Sequence, residues 1–194
     1  MTTPGGGTYT GSAQNVGGNA NGDLVFAADV LRPSAISAFQ GIFVLEDGAQ
    51  REVIYRGDAL PGTSPPRLYL GLAGSGAPAI DAEGDVAFAA SLTDAAENAV
   101  ERAIVVSRAG ELGVLLKQGD AVPGVPGDVF SDFPEVRMDE SGRIALYGFT
   151  TTGTGVFLAS PPAPAVLAVP PLGLVTLTLA ITASAAAIRT RLRG

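Results

Sequence analysis

Asp81, Glu83 and Asp85 set three carboxylates at alternate positions of one short stretch. Asn19, Asn21 and Asp23 repeat the pattern with two amides and a carboxylate. Oxygen ligands so spaced are the chemistry of calcium loops. The third such stretch offers Asp139, Ser141 and Arg143, and the arginine spoils the set. The competing reading is a turn in which Asn or Asp bonds its own backbone while a following glycine takes positive φ. Gly22, Gly84 and Gly142 stand where that turn needs them. The turn reading is preferred; Asp81, Glu83 and Asp85 remain the metal candidates, and no cofactor is expected.

Other chemistry is thin. The chain of 194 residues has no His, Cys or Trp. It therefore lacks the commonest general base, the commonest transition-metal ligand and any disulfide framework. Neither Gly5-Gly6-Gly7 nor Gly74-Ser75-Gly76 continues into the Gly-Lys-Ser/Thr of a phosphate loop. Ser75 lacks the flanks of a nucleophile elbow and has no His to serve it. Arg56-Gly57-Asp58 spells an adhesion tripeptide, but its counterpart is Gln118-Gly119-Asp120. The Gly-Asp pair thus belongs to a repeat, and the Arg is incidental. Carboxylate pairs leave glycosidic chemistry open, yet the acids fall mostly in turns. No catalytic constellation is visible.

The elements that carry these residues recur. Asn19–Ala28, Asp81–Ala90 and Asp139–Gly148 each join an Asx-x-x-Gly turn to an apolar strand. Gly41–Leu45, Ala103–Ser107 and Gly155–Ala159 follow as a second strand. Glu52–Tyr55 and Leu112–Leu116 give a third, ended by Gly-Asp-Ala-x-Pro-Gly at 57–62 and 119–124. A short strand near Arg67–Leu72 completes four. Elements recurring in one order about every 60 residues mark a tandem array. In Val86–Ala90 and Ile42–Leu45 both faces are apolar, which predicts strands packed on both sides. The expected fold is all-β: tandem four-stranded repeats in a partial β-propeller-like arrangement, with a β-solenoid or sandwich as the alternative. The repeats occupy 1–160, divided near 1–57, 58–119 and 120–160. About two and a half repeats are present, and the opening Pro4-Gly5 matches a repeat junction. The expectation is a C-terminal fragment of a longer protein.

The net charge is −7, unevenly placed. Arg189, Arg191 and Arg193 crowd the end, and residues 1–188 carry −10. An acidic body argues against nucleic acid, whose phosphates need Lys and Arg. Residues 161–166 form a Pro/Ala spacer. From Val166 to Ile188 no charge occurs. Residues 167–188 are expected to form a transmembrane or sorting helix, and 189–194 a basic cytoplasmic tail. Leu172–Ile188 would span about 25 Å as a helix, the short end of what crosses a bilayer.

Residues 1–160 resemble the bacterial choice-of-anchor tandem-repeat proteins, whose motif is Asn-x-x-Gly-x-x-Ala-Phe. Asp81–Phe88 carries that motif with Asp first, and Asn19–Phe26 carries it with Val for Ala. Asp139–Leu146 has Asp for Asn and Leu for Phe. The tail is similar to the short sorting signals of exported proteins, of the PEP-CTERM or IPTL-CTERM kind. Pro170, Pro171 and Gly173 precede the apolar run, and Arg189, Arg191 and Arg193 follow it. The resemblance implies a membrane sorting protease as partner and cleavage near Pro170–Gly173. The resulting expectation is a non-enzymatic exported protein, held at the cell membrane or surface with its repeats outside. The repeats would present a β interaction surface to a protein or glycan. The alternative is an extracytoplasmic carbohydrate-active hydrolase or lyase on a propeller scaffold.

Overall fold

The structure, a computed structural model, describes residues 2–11, 13–63, 66–73, 76–96 and 100–159. These residues are all-β, in three antiparallel sheets. Sheet 1 holds β1 (Thr8–Tyr9), β2 (Gln14–Gly18), β3 (Leu24–Leu31), β4 (Phe39–Glu46) and β5 (Ala49–Tyr55). Sheet 2 holds β6 (Ala59–Leu60), β7 (Arg67–Leu72), β8 (Ala79–Ile80), β9 (Val86–Thr93), β10 (Val100–Arg108) and β11 (Glu111–Lys117). Sheet 3 holds β12 (Phe130–Met138), β13 (Ile144–Thr150) and β14 (Thr154–Ala159).

Each sheet is a meander on one plan. The strand that opens each meander is broken in two copies: β1 and β2 both pair with β3, and β7 and β8 both pair with β9, with β6 outside β7. In sheet 3 one strand, β12, does this job, with register shifts between Phe130 and Glu135. Pro134 lies in that irregular stretch, where its missing N–H costs no regular ladder bond.

The register shows that the sheets are copies. Ala27 faces Ile42, Ala89 faces Ile104, and Tyr147 faces Val156 across their central strand pairs. Two residues further along the same strand pairs, Asp29 faces Gln40, Ser91 faces Arg102, and Phe149 faces Thr154.

The sheets pack face to face. Val25, Ile42, Val44 and Ile54 of sheet 1 bury against Tyr69, Val86, Phe88 and Leu92 of sheet 2. The other face of sheet 2, with Ala87, Ala89, Ile104 and Leu116, meets Phe130, Phe133, Ile144 and Leu146 of sheet 3. Every residue of β9 is buried, because alternate side chains enter two different cores. That is the two-sided strand its apolar run predicts.

Polar groups lock these junctions. Gln40 on β4 accepts the N–H of Leu72 in sheet 2 at 2.8 Å and the Tyr69 hydroxyl at 3.4 Å. Arg102, at the matching place on β10, donates to Ser91 and lies 3.8 Å from Asp132 of sheet 3. Gly17 on β2 approaches sheet 2 so closely that a Cβ there would stand 2.2 Å from the Pro78 carbonyl oxygen. A glycine is required at that contact.

Candidate functional site

The three Asx-x-x-Gly turns each join the first strand of a sheet to its second. In each, one side-chain oxygen closes the turn. Asn19 Oδ1 accepts the N–H of Asn21 at 3.1 Å and of Asp23 at 2.9 Å. Asp81 Oδ1 accepts Glu83 and Asp85 at 3.1 and 2.9 Å, and Asp139 Oδ1 accepts Ser141 and Arg143 at 3.0 Å each. Gly22, Gly84 and Gly142 take φ of 90°, 82° and 74°. The local chemistry is therefore the Asx turn.

The turns also meet one another. Asn19 Nδ2 donates to the Asp81 carbonyl at 2.7 Å, and Asn21 Nδ2 to the Ala82 carbonyl at 3.0 Å. Glu140 joins the third turn to both others. Its carboxylate accepts Ala20 N–H at 2.9 Å, and its carbonyl accepts Ala82 N–H at 3.4 Å. Residues 120 apart in sequence thus share one polar cluster at one end of the sheet stack.

The acids in this cluster are occupied. Asp81 is buried, and burial raises its carboxyl above the usual range, against the opposing pull of the Asp85 N–H. The negative Asp85 and Glu83 add to the rise, and the Glu83 N–H opposes it. The Ser141 hydroxyl and the Arg143 guanidinium hold Asp139 well below the usual carboxylate range. Asp85 accepts the Ala109 N–H at 2.9 Å and sits 3.9 Å from Arg108. Asp81 therefore turns into its own loop, while Asp85 faces the β10–β11 hairpin. Glu83 and Asp85 line an open cleft of about 290 Å³ with Glu46 and Arg51. Among the described residues no three acidic side chains gather to hold a metal ion.

A second open cleft, about 400 Å³, lies beside the Gly62–Thr63 turn. Its charged lining is Arg67, Glu101, Lys117 and Asp120. Glu101 bridges Arg67 at 3.0 Å and Lys117 at 3.5 Å. The Gly-Asp turns border this region. Asp58 accepts the Tyr55 N–H and Asp120 the Lys117 N–H, both at 2.8 Å, with Gly57 and Gly119 at φ 91°. Asp58 also lies 3.7 Å from Arg32, and the Arg56 guanidinium sits over the Phe39 ring. The Arg-Gly-Asp tripeptide is thus built into the repeat turn.

One cluster escapes the repeat comparison because it has no second copy. The buried Asp128 accepts the hydroxyls of Thr150, Thr151 and Thr152 and the N–H of Thr152. Burial alone would raise its carboxyl, but these donors outweigh it and hold it well below the usual range. The run Thr150-Thr151-Thr152 is the only sequence sign of it.

Pro170, Pro171, Gly173, Arg189, Arg191 and Arg193 lie outside the described residues, as does the expected helix. Among the described residues no helix is long and apolar enough to cross a membrane.

Tandem antiparallel sheets, locked at their faces and gathered by their turns, define an all-β repeat protein. Over residues 2–161 the chain matches the family of unknown function DUF7453, and it belongs to that family. No curated protein and no solved structure matches it.

Proposed function

We propose that this chain is a non-enzymatic exported repeat protein, held at the membrane or cell surface by its C-terminal segment, whose sheets serve as an interaction surface. The observation that carries the non-enzymatic part is the state of the acids. The carboxylates of Asp81, Asp85 and Asp139 are spent on backbone amides and neighbouring arginines rather than left open toward a substrate. In the larger cleft Glu101 is engaged by two cations. A hydrolase built on carboxylates needs two such groups free to face a glycosidic bond. Face-to-face sheets with gathered turns also support a propeller-like arrangement.

Support for the anchor is the uncharged run Val166–Ile188 followed by three arginines. The test is fractionation of the tagged full chain in a bacterial host, with protease added to intact spheroplasts. The expected result is a membrane-bound or processed product whose repeats are digested from outside. A chain found wholly soluble after lysis and never processed would refute the anchor. Release of reducing ends from a glycan panel by the purified chain would refute the non-enzymatic reading.

A further inference from the structure

Of the four asparagines in the chain, only Asn21 is followed by glycine; Val16 follows Asn15, and alanines follow Asn19 and Asn98. Asparagine turns into acid when the next residue's backbone nitrogen attacks the side-chain amide carbon. A side chain on that next residue hinders the approach, and glycine has none. The surroundings of this pair are open. Asn21 and Gly22 are both exposed, and a Cβ built on Gly22 would meet nothing within 4 Å. Asn19 is closed to the same reaction. Its Oδ1 accepts two backbone N–H groups, and its Nδ2 donates to Asp23 and to the Asp81 carbonyl.

Asn21 is held more lightly. Among the described residues its side chain makes one hydrogen bond, from Nδ2 to the Ala82 carbonyl at 3.0 Å. The Gly22 N–H donates to the Asn19 carbonyl at 3.2 Å, inside its own turn. The Asn21 amide is therefore engaged only while the first turn meets the second. The bond that joins the two turns is also the bond that guards the amide.

We propose that Asn21 is a self-modification site: it deamidates onto Gly22, and the reaction releases the first turn from the second for good. The Gly22 nitrogen gives its proton to solvent base and attacks Cγ of Asn21. A new N–Cγ bond forms, the Cγ–Nδ2 bond breaks, and Nδ2 leaves as ammonia. Water then opens the cyclic imide at either carbonyl, leaving aspartate or isoaspartate. The net change is amide plus water to carboxylate plus ammonium, with no oxidation. Either product has lost the N–H that binds Ala82, because a carboxylate only accepts. It also brings a negative charge into the turn cluster that already holds Asp23, Asp81, Glu83 and Glu140. Isoaspartate further adds a backbone carbon inside the loop that Asn19 closes. The equivalent places in the other two turns hold Glu83 and Ser141, which cannot react this way. The junction of sheets 1 and 2 thus carries a slow, one-way timer, and the inference stands apart from the proposed anchoring and binding role.

The test is incubation of the full-length chain, purified in a mild detergent, in a mildly alkaline buffer, both folded and in urea. Peptide mass mapping and isoaspartate labelling follow the conversion. The expected result is acid at Asn21, isoaspartate exceeding aspartate, formed several-fold more slowly in the folded chain because the turns must part first. Modified chain, separated by its extra charge, is expected to unfold at lower urea than unmodified chain, and Asn21→Asp made directly should do the same. Asn21→Gln keeps an amide but lengthens the ring that must close, and it should stay unconverted. A folded chain that remains intact at Asn21 while the unfolded chain reacts to completion would overturn the site. Equal rates in the two states would remove the guarding role of the Ala82 bond. Wild-type urea midpoints in both the modified chain and Asn21→Asp would overturn the release.

Discussion

Asn19 and Asp81 occupy the same place in successive repeats, and the side-chain amide of the first donates to the backbone carbonyl of the second at 2.7 Å. One residue type at one turn position therefore does two things. Its oxygen closes its own loop, and its nitrogen ties that loop to the next. Asp can do only the first, because a carboxylate has no N–H to give.

Asn19→Asp separates the two roles. The loop keeps its acceptor but sets a carboxylate against the Asp81 carbonyl. Asn19→Ala removes both bonds. Each variant is expected to lose about 1–2 kcal/mol, with Asn19→Asp no better than Asn19→Ala. Urea unfolding followed by tryptophan-free methods such as far-UV circular dichroism measures it. Wild-type stability in Asn19→Asp would show that the inter-turn bond adds nothing.

Calcium should leave the fold unchanged. The oxygens of Asp81 and Asp85 are engaged by amides and by Arg108, so a cation would first have to break those bonds. Melting with millimolar calcium or with chelator is expected to coincide. A clear rise in Tm with calcium would restore the metal reading of Asp81, Glu83 and Asp85.

Asp128 predicts a specific acid response. Its carboxyl is held below the ordinary value by three threonine hydroxyls and an amide. A depressed pKa gives stability that is present above the unfolded value, about 3.9, and lost as pH falls toward the folded value. The stability gap between wild type and Asp128→Asn should be full above about pH 5 and shrink below about pH 4. Urea midpoints across that range test it; a gap independent of pH would show that ionisation plays no part.

Gln40→Ala strands the buried-side N–H of Leu72 at the first sheet junction. The expected loss is about 1–2 kcal/mol, read from thermal or urea unfolding. Gln40→Glu keeps an acceptor and should recover most of it. Equal losses in both would place the effect in packing rather than in the bond.

Gly17→Ala presses a methyl group against the Pro78 carbonyl. Backbone, not a flexible side-chain end, must give way, and the expected loss is about 1–3 kcal/mol. A stability within error of wild type would mean the two sheets separate there at little cost.

Much of this architecture is legible in the chain, and the reasons are local. Asx-x-x-Gly and Gly-Asp-Ala-x-Pro-Gly read directly as turns because each needs a particular side-chain oxygen and a positive φ. Val86–Ala90 reads as a two-faced strand because both alternations are apolar. The broken first strands are harder. Gln14–Gly18 contains two glycines and no apolar alternation, and it is a strand only because β3 pairs with it. Arg67–Leu72 reads as a strand, but which sheet it joins depends on contacts distant in sequence. The meeting of the three turns is equally invisible in the sequence. The Asn19, Ala82 and Glu140 partners lie in different repeats, and no spacing rule joins them. The Asp128 cluster has no repeat copy to announce it.

Gln40, Arg102 and Thr154 share one position in three copies and behave in three ways. Tandem arrays grow and shrink when a recombining gene pairs one copy with the wrong neighbour. Here such an exchange would change the clasp at once. Deleting the middle copy would bring Gln40 to face Asp132, and duplicating it would aim a guanidinium at the donor N–H of Leu72. Divergence at a single clasp residue thus gives each copy an address. What tells one copy from the next is less the apolar strands, which share one plan, than the polar side chains at their rims.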